Sequence, residues 1–119
     1  MPARIATAVA QGIVQMDPRP TALLVDEGSR ATNLYHALRK LGCEVPRDLS
    51  ILTFTAETDP SVMMPGMTAV LCSTREMTVR AVGLVPRLLR SARPVARTEQ
   101  IVPVFVPGRT TRLLSDPDR

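Results

Sequence analysis

The sequence predicts an α/β fold, a three-layer sandwich around a mostly parallel sheet. Three observations lead there. Apolar residues at helical spacing alternate with short continuous apolar runs, in the order α-β-α-β-β-α-β. The runs lack the every-second-residue polarity of a half-exposed strand, so they read as strands covered on both faces. Eleven Pro and six Gly punctuate the segments and divide them cleanly.

Each element has its own reason. In residues 3–16, Ile5, Ala8, Val9, Ile13 and Met16 share one helical face. Pro18 and Pro20 end that helix, because a residue before proline is pushed out of the helical region. Residues 21–25 form the first apolar strand. Asp26, Glu27, Gly28 and Ser29 make a polar turn suited to starting a helix. The second helix turns Ala31, Leu34, Ala37, Leu38 and Leu41 inward, and Gly42 is placed to cap it. Residues 49–54 give a second strand, 55–67 a loop and 68–72 a third strand. Ser73 and Glu76 then have capping-box spacing. The third helix is expected to turn Met77, Ala81, Leu84, Val85 and Leu88 inward, with a kink near Val82 and Gly83 caused by Pro86. Residues 100–106 form the last strand, at a sheet edge because Pro103 cannot donate a ladder bond. Residues 113–119 are expected to fray.

Composition excludes several functions. The 119 residues suit one domain with its own core. With one His (His36) and two Cys (Cys43, Cys72), a protein-built zinc site would need carboxylates for most ligands, and no metal site is expected. Tyr35, Phe54 and Phe105 are too few for a base-stacking platform. The sequence has no phosphate loop and no nucleophile elbow, and His36 has no paired nucleophile. No catalytic residue and no cofactor are therefore assigned. No apolar run approaches the length of a membrane span. The cysteines read as reduced thiols of a cytoplasmic protein. Fourteen of the 15 basic residues are Arg, eight of them between residues 75 and 112. Their irregular spacing reads as a solvated helix face.

In open α/β sheets, ligands bind beyond the carboxyl ends of the strands. That rule selects residues 26–30, 55–58 and 72–74. The first group also opens a helix, where backbone N–H groups favour an anion, although Asp26 and Ser29 could equally serve as caps.

A series of short motifs carries a resemblance over residues 18–112. Pro20-Thr21-Ala22 and the apolar residues after it look like a "PTAIF" strand. Ala31, Leu38 and Leu41-Gly42 fit the helix that follows. Val45-Pro46-Arg47-Asp48-Leu49-Ser50-Ile51 is similar to "VPeDiSv", and Pro65 to Val70 fit "PpLTTV". Pro103, Arg109 and Thr111 fit the closing motif. In this series the chain resembles the C-terminal part of the effector-binding domain of LacI/GalR-family transcription regulators. The resemblance implies a partial periplasmic-binding-protein-like (type I) lobe spanning residues 1–119. It implies a role in sensing a small effector, sugar or nucleoside, between two lobes. Closure of those lobes shifts an N-terminal helix-turn-helix between states of different affinity for operator DNA. It implies a non-enzymatic homodimer with contacts on the second helix and the loop of residues 55–67, at Leu34, Tyr35, Leu38, Met63 and Met64. No helix-turn-helix precedes the match, so the expectation is a partial sensor whose short sheet leaves an edge open to self-association.

The ligand positions depart from the family pattern. Its usual Asp aligns with Gly28, its Asn with Glu27, and its second acidic position with Thr55. Asp26, Glu27, Gly28, Arg30, Thr55 and Glu57 are the candidate ligand-binding residues. Leu24 to Glu27 and Met64 to Met67 also resemble pieces of a two-component receiver. There the spacing fails: Asp59 lies too far from the second motif, and the late Lys-Pro is absent. A stand-alone α/β signalling module, receiver-like or protein-binding, is the alternative reading.

Overall fold

The computed structural model describes residues 2–56, 63–91 and 98–113. Among them the element order matches the expected one: α1 (Ala3–Gln15), β1 (Ala22–Val25), α2 (Gly28–Lys40), β2 (Ser50–Thr55), β3 (Thr68–Leu71), α3 (Thr74–Arg90) and β4 (Val104–Val106). The sheet order is β1-β2-β3-β4, with the first three strands parallel and β4 antiparallel to β3 at the edge. Pro103 immediately precedes β4, as a residue that cannot donate to a ladder should. Residues 114–119 lie outside the described part of the chain, and the expected fraying falls there.

α1 and α2 cover one face of the sheet. Ala6 and Ala10 of α1 meet a core of Ala31, Leu34, Leu38, Leu49, Ile51 and Ala69. Small residues on α1 let the two helices approach closely, so the fully buried Leu38 sits beneath them. The buried stripe of α1 is therefore rotated from the predicted face: Ile5, Val9 and Met16 stay exposed.

α2 ends as its sequence requires. Gly42 adopts φ +78°, the Gly42 N–H donates to Arg39 O, and the Cys43 N–H donates to Leu38 O at 3.1 Å. This is a Schellman cap, which needs a left-handed residue where only glycine pays no steric penalty. Residues 44–48 close into a turn in which Asp48 accepts from the Glu44 N–H and pairs with Arg47.

The opposite face of the sheet corrects the third layer and the inward face of α3. Met77, Val85 and Leu88 are exposed, and no α3 side chain is buried. Ser73 accepts from the Glu76 N–H, but Glu76 turns to Arg80 rather than completing a capping box. α3 runs through Pro86 as one helix, held to residue 99 by Arg80 and Arg87. It leaves the carboxyl end of β3 and packs on neither sheet face. Leu24, Phe54 and Phe105 remain 62%, 40% and 60% exposed on the uncovered side.

Residues 108–112 return to clasp the amino ends of β2 and β3. The Thr110 hydroxyl accepts from the Thr68 N–H at 2.9 Å and donates to Ile51 O at 2.7 Å. Thr110 O in turn accepts from the Ile51 N–H at 2.7 Å. Arg112 reaches the carbonyls of Pro46 and Arg47, both at 3.0 Å. Gly108 lies so close to Gly66 and Met67 that an added Cβ would meet backbone atoms at 2.5 Å.

Candidate functional site

Three parallel strands end side by side, and their carboxyl ends open a cleft of about 290 Å³. β1 delivers Asp26 and Glu27, β2 delivers Phe54, Thr55 and Ala56, and β3 delivers Cys72 and Thr74. Met77, from the first turn of α3, closes one side. The cause is topological: parallel strands place all their carboxyl ends on one edge, where the loops are free to vary.

The acidic corner is held in place. Arg30 pairs with Asp26 at 2.9 Å and with Glu27 at 3.0 Å. Ser29 donates to Glu27 at 2.5 Å. That hydroxyl, with help from Arg30, holds the Glu27 carboxyl below its ordinary range. Both acids stay largely exposed, so they remain available as hydrogen-bond acceptors for a polar ligand.

The predicted ligand residues therefore divide. Asp26, Glu27 and Thr55 line the cleft. Arg30 stands behind the acids as their partner. Gly28 is buried and cannot touch a ligand through a side chain; it lets α2 start close against Met63 and Thr55, which a Cβ would meet at 3.1 and 3.3 Å. Glu57 and Thr58 lie outside the described residues. Cys72 and Thr74 belong to the predicted strand-end groups. Phe54 and Met77 were missed: Phe54 lies inside an apolar run with no polar mark, and Met77 reads as a core residue of its helix. Among the described residues no cluster of His, Cys, Asp and Glu could hold a metal ion.

The proposed dimer residues are also divided by burial. Leu34, Leu38 and Met63 belong to the chain's own core and are not free to meet a second subunit through their side chains. Tyr35 and Met64 pack against that core but remain half exposed. Met64 is tied to α2 through its N–H, which donates to the Thr32 hydroxyl at 3.0 Å. Helical spacing cannot separate Leu34 and Leu38 from an outward stripe, because α1 covers them from a distant part of the sequence.

The sequence model of the periplasmic binding protein-like domain matches residues 2–111. The chain belongs to that family. Solved structures carry the same fold. A LacI family transcriptional regulator from Bifidobacterium animalis subsp. lactis superposes with a TM-score of 0.79 at 22% identity, over 92% of this chain and 40% of that one. The transcription regulator CcpA of Lactococcus lactis gives 0.74 at 18%, over 94% and 41%. A LacI family regulator from Lactobacillus casei, crystallised with bound sucrose, gives 0.68 at 17%, over 93% and 41%. This periplasmic binding protein-like chain thus spans about two fifths of the length of those proteins. No curated protein sequence matches it. No helix among the described residues is long and apolar enough to cross a membrane.

Proposed function

We propose that this periplasmic binding protein-like chain is the effector-sensing and dimerisation part, a C-terminal lobe, of a LacI/GalR-type transcription regulator. The observation that supports this best is the cleft at the carboxyl ends of β1, β2 and β3, within a family match covering residues 2–111. The ligand is a small polar effector of the sugar or nucleoside class. Asp26, Glu27, Thr55 and Thr74 offer hydrogen-bond partners to hydroxyl groups, and Phe54 and Met77 offer apolar surface to a ring. Glu57 stands in the same proposal on its sequence position alone. The chain assembles as a homodimer and acts in the cytoplasm. It performs no catalysis. DNA contact belongs to a helix-turn-helix outside these residues.

A one-sided cleft binds weakly, because a second wall normally supplies half of the ligand's contacts. Nuclear magnetic resonance titration with sucrose, glucose and a nucleoside tests the reading. The expected result is weak binding with shifts confined to the amides of Asp26, Glu27, Thr55, Cys72 and Thr74. Tight binding, or shifts centred elsewhere, would overturn it. A sequence-selective gel shift by this chain surviving ~200 mM salt would equally contradict it.

A further inference from the structure

The cleft at the carboxyl ends of β1, β2 and β3 differs in charge from the rest of the chain. The chain carries a net charge of +4, yet residues 48–74, which supply β2, β3 and everything between them, contain no Lys, Arg or His. Among the described residues no basic side chain lines the cleft. Its charge comes from Asp26 and Glu27, whose side chains stay 71% and 53% exposed. One cation, Arg30, serves both of them, so the corner keeps an excess of negative charge. A carboxylate offers about four lone-pair positions, and the bonds from Arg30 and Ser29 leave several of them open to a ligand. The N-terminus of α2 opens at this corner and favours an anion. Asp26 and Glu27 already answer it, and the Ser73 hydroxyl and Glu76 answer that of α3. An incoming anion therefore meets carboxylates rather than free backbone donors. Phe54, 40% exposed, gives the same cleft an aromatic face, whose quadrupole attracts a cation.

We propose that the effector of this cleft carries a protonated amine on a hydroxylated ring, and that the cleft discriminates against phosphorylated analogues. This rests on the effector-sensing part of the proposed function and narrows its ligand class. The amine meets the Asp26 and Glu27 carboxylates and the Phe54 face, and the hydroxyls meet Thr55 and Thr74. Opposite unit charges about 4 Å apart in a water-exposed site attract strongly enough to change affinity roughly five-fold. A phosphate group at the same place is repelled by a similar or larger factor. Arg30, bonded to both acids, weakens the two effects without reversing them.

Nuclear magnetic resonance titration of the full chain with glucosamine, glucose and glucose 6-phosphate tests this, because the three share a ring and differ in charge. At about pH 6 the amine is protonated and an ordinary carboxylate is ionised. At low salt glucosamine is expected to bind roughly five-fold more tightly than glucose, and glucose 6-phosphate more weakly than either. Salt at ~0.5 M should remove most of the difference. Asp26→Asn combined with Glu27→Gln should bring the ratio of glucosamine to glucose affinity close to one. Arg30→Gln should widen that ratio, which a merely structural role would not do. It carries the test if circular dichroism shows that the double variant does not fold. Glucose binding as tightly as glucosamine, or glucose 6-phosphate binding best, overturns the proposal and leaves the effector reading standing. A preference for glucosamine that ignores salt and these variants also overturns it, since charge is then not its source. If none of the three binds at high millimolar concentration while adenosine does, the proposal falls alone. If adenosine fails as well, the effector reading falls with it.

Discussion

Thr110 tests how the chain's end holds its sheet together. Its hydroxyl stands between two backbone groups of neighbouring strands, accepting from the Thr68 N–H and donating to Ile51 O. The residue is 1% exposed, so water cannot replace it. Thr110→Val keeps the shape and removes the hydroxyl. Each backbone group then faces a methyl, and an unmade buried hydrogen bond costs about 1–3 kcal/mol. The two together predict a loss of about 2–6 kcal/mol, the lower end applying if the strands close enough to bond directly. Equilibrium unfolding in urea, followed by circular dichroism, should show the midpoint falling by roughly 1–3 M. Thr110→Ser keeps the hydroxyl and loses one methyl, so it should cost no more than about 1 kcal/mol. A valine variant within about 0.5 kcal/mol of wild type, or a serine variant as damaging as the valine, would refute the bridging role.

Three further outcomes follow from other positions. Gly108→Ala drives a Cβ into backbone atoms of residues 66–68 and should cost at least about 3 kcal/mol, whereas Gly42→Ala meets open space and should cost only the about 1–2 kcal/mol of left-handed strain; comparable unfolding midpoints for the two would contradict this. Burial, with the nearby Asp48 charge, pushes the Cys43 thiol up. A thiol-specific chromogenic reagent should therefore label the half-buried Cys72 in the folded chain and Cys43 only after unfolding. Because the folded thiol titrates above the unfolded one, its stabilisation is complete below the ordinary thiol range and is lost as the pH rises through the folded value. Asp48 behaves oppositely: its hydrogen bond from Arg47, reinforced by the Glu44 N–H, holds its carboxyl low. Its contribution is present above the ordinary carboxylate range and disappears as the pH falls through the folded value, so Asp48→Asn should flatten the acid limb of a stability–pH curve measured by urea titration. An unchanged acid limb would show that the Arg47 pairing adds nothing to folding.

Much of the architecture is legible because local geometry leaves local marks. Gly42 follows a helical pattern at the place where a left-handed residue is needed, and it forms the cap. Ser73 stands three residues before Glu76, and its hydroxyl caps α3. Most of the candidate cleft is legible for the same reason, since strand ends can be read from punctuation and the carboxyl-edge rule does the rest. Asp26, Glu27 and Thr55 emerge in this way. Phe54 does not, because its position in the cleft depends on which face of β2 it occupies.

The sequence by itself determined the element order, the mostly parallel sheet, the edge position of the last strand and the family. Tertiary structure alone decided which surfaces are covered. An apolar run such as Leu23-Leu24-Val25 is identical in character on both faces, so it cannot say that α1 and α2 cover one face while the other stays open. The apolar stripe of α3 looks the same whether or not anything packs on it. Leu34 and Leu38 could have faced outward until Ala6 and Ala10, far back in the chain, closed over them. Thr110 looks like any tail residue until its hydroxyl joins Ile51 to Thr68. Periodicity records the shape of one element; coverage depends on residues distant in sequence, which no local pattern contains.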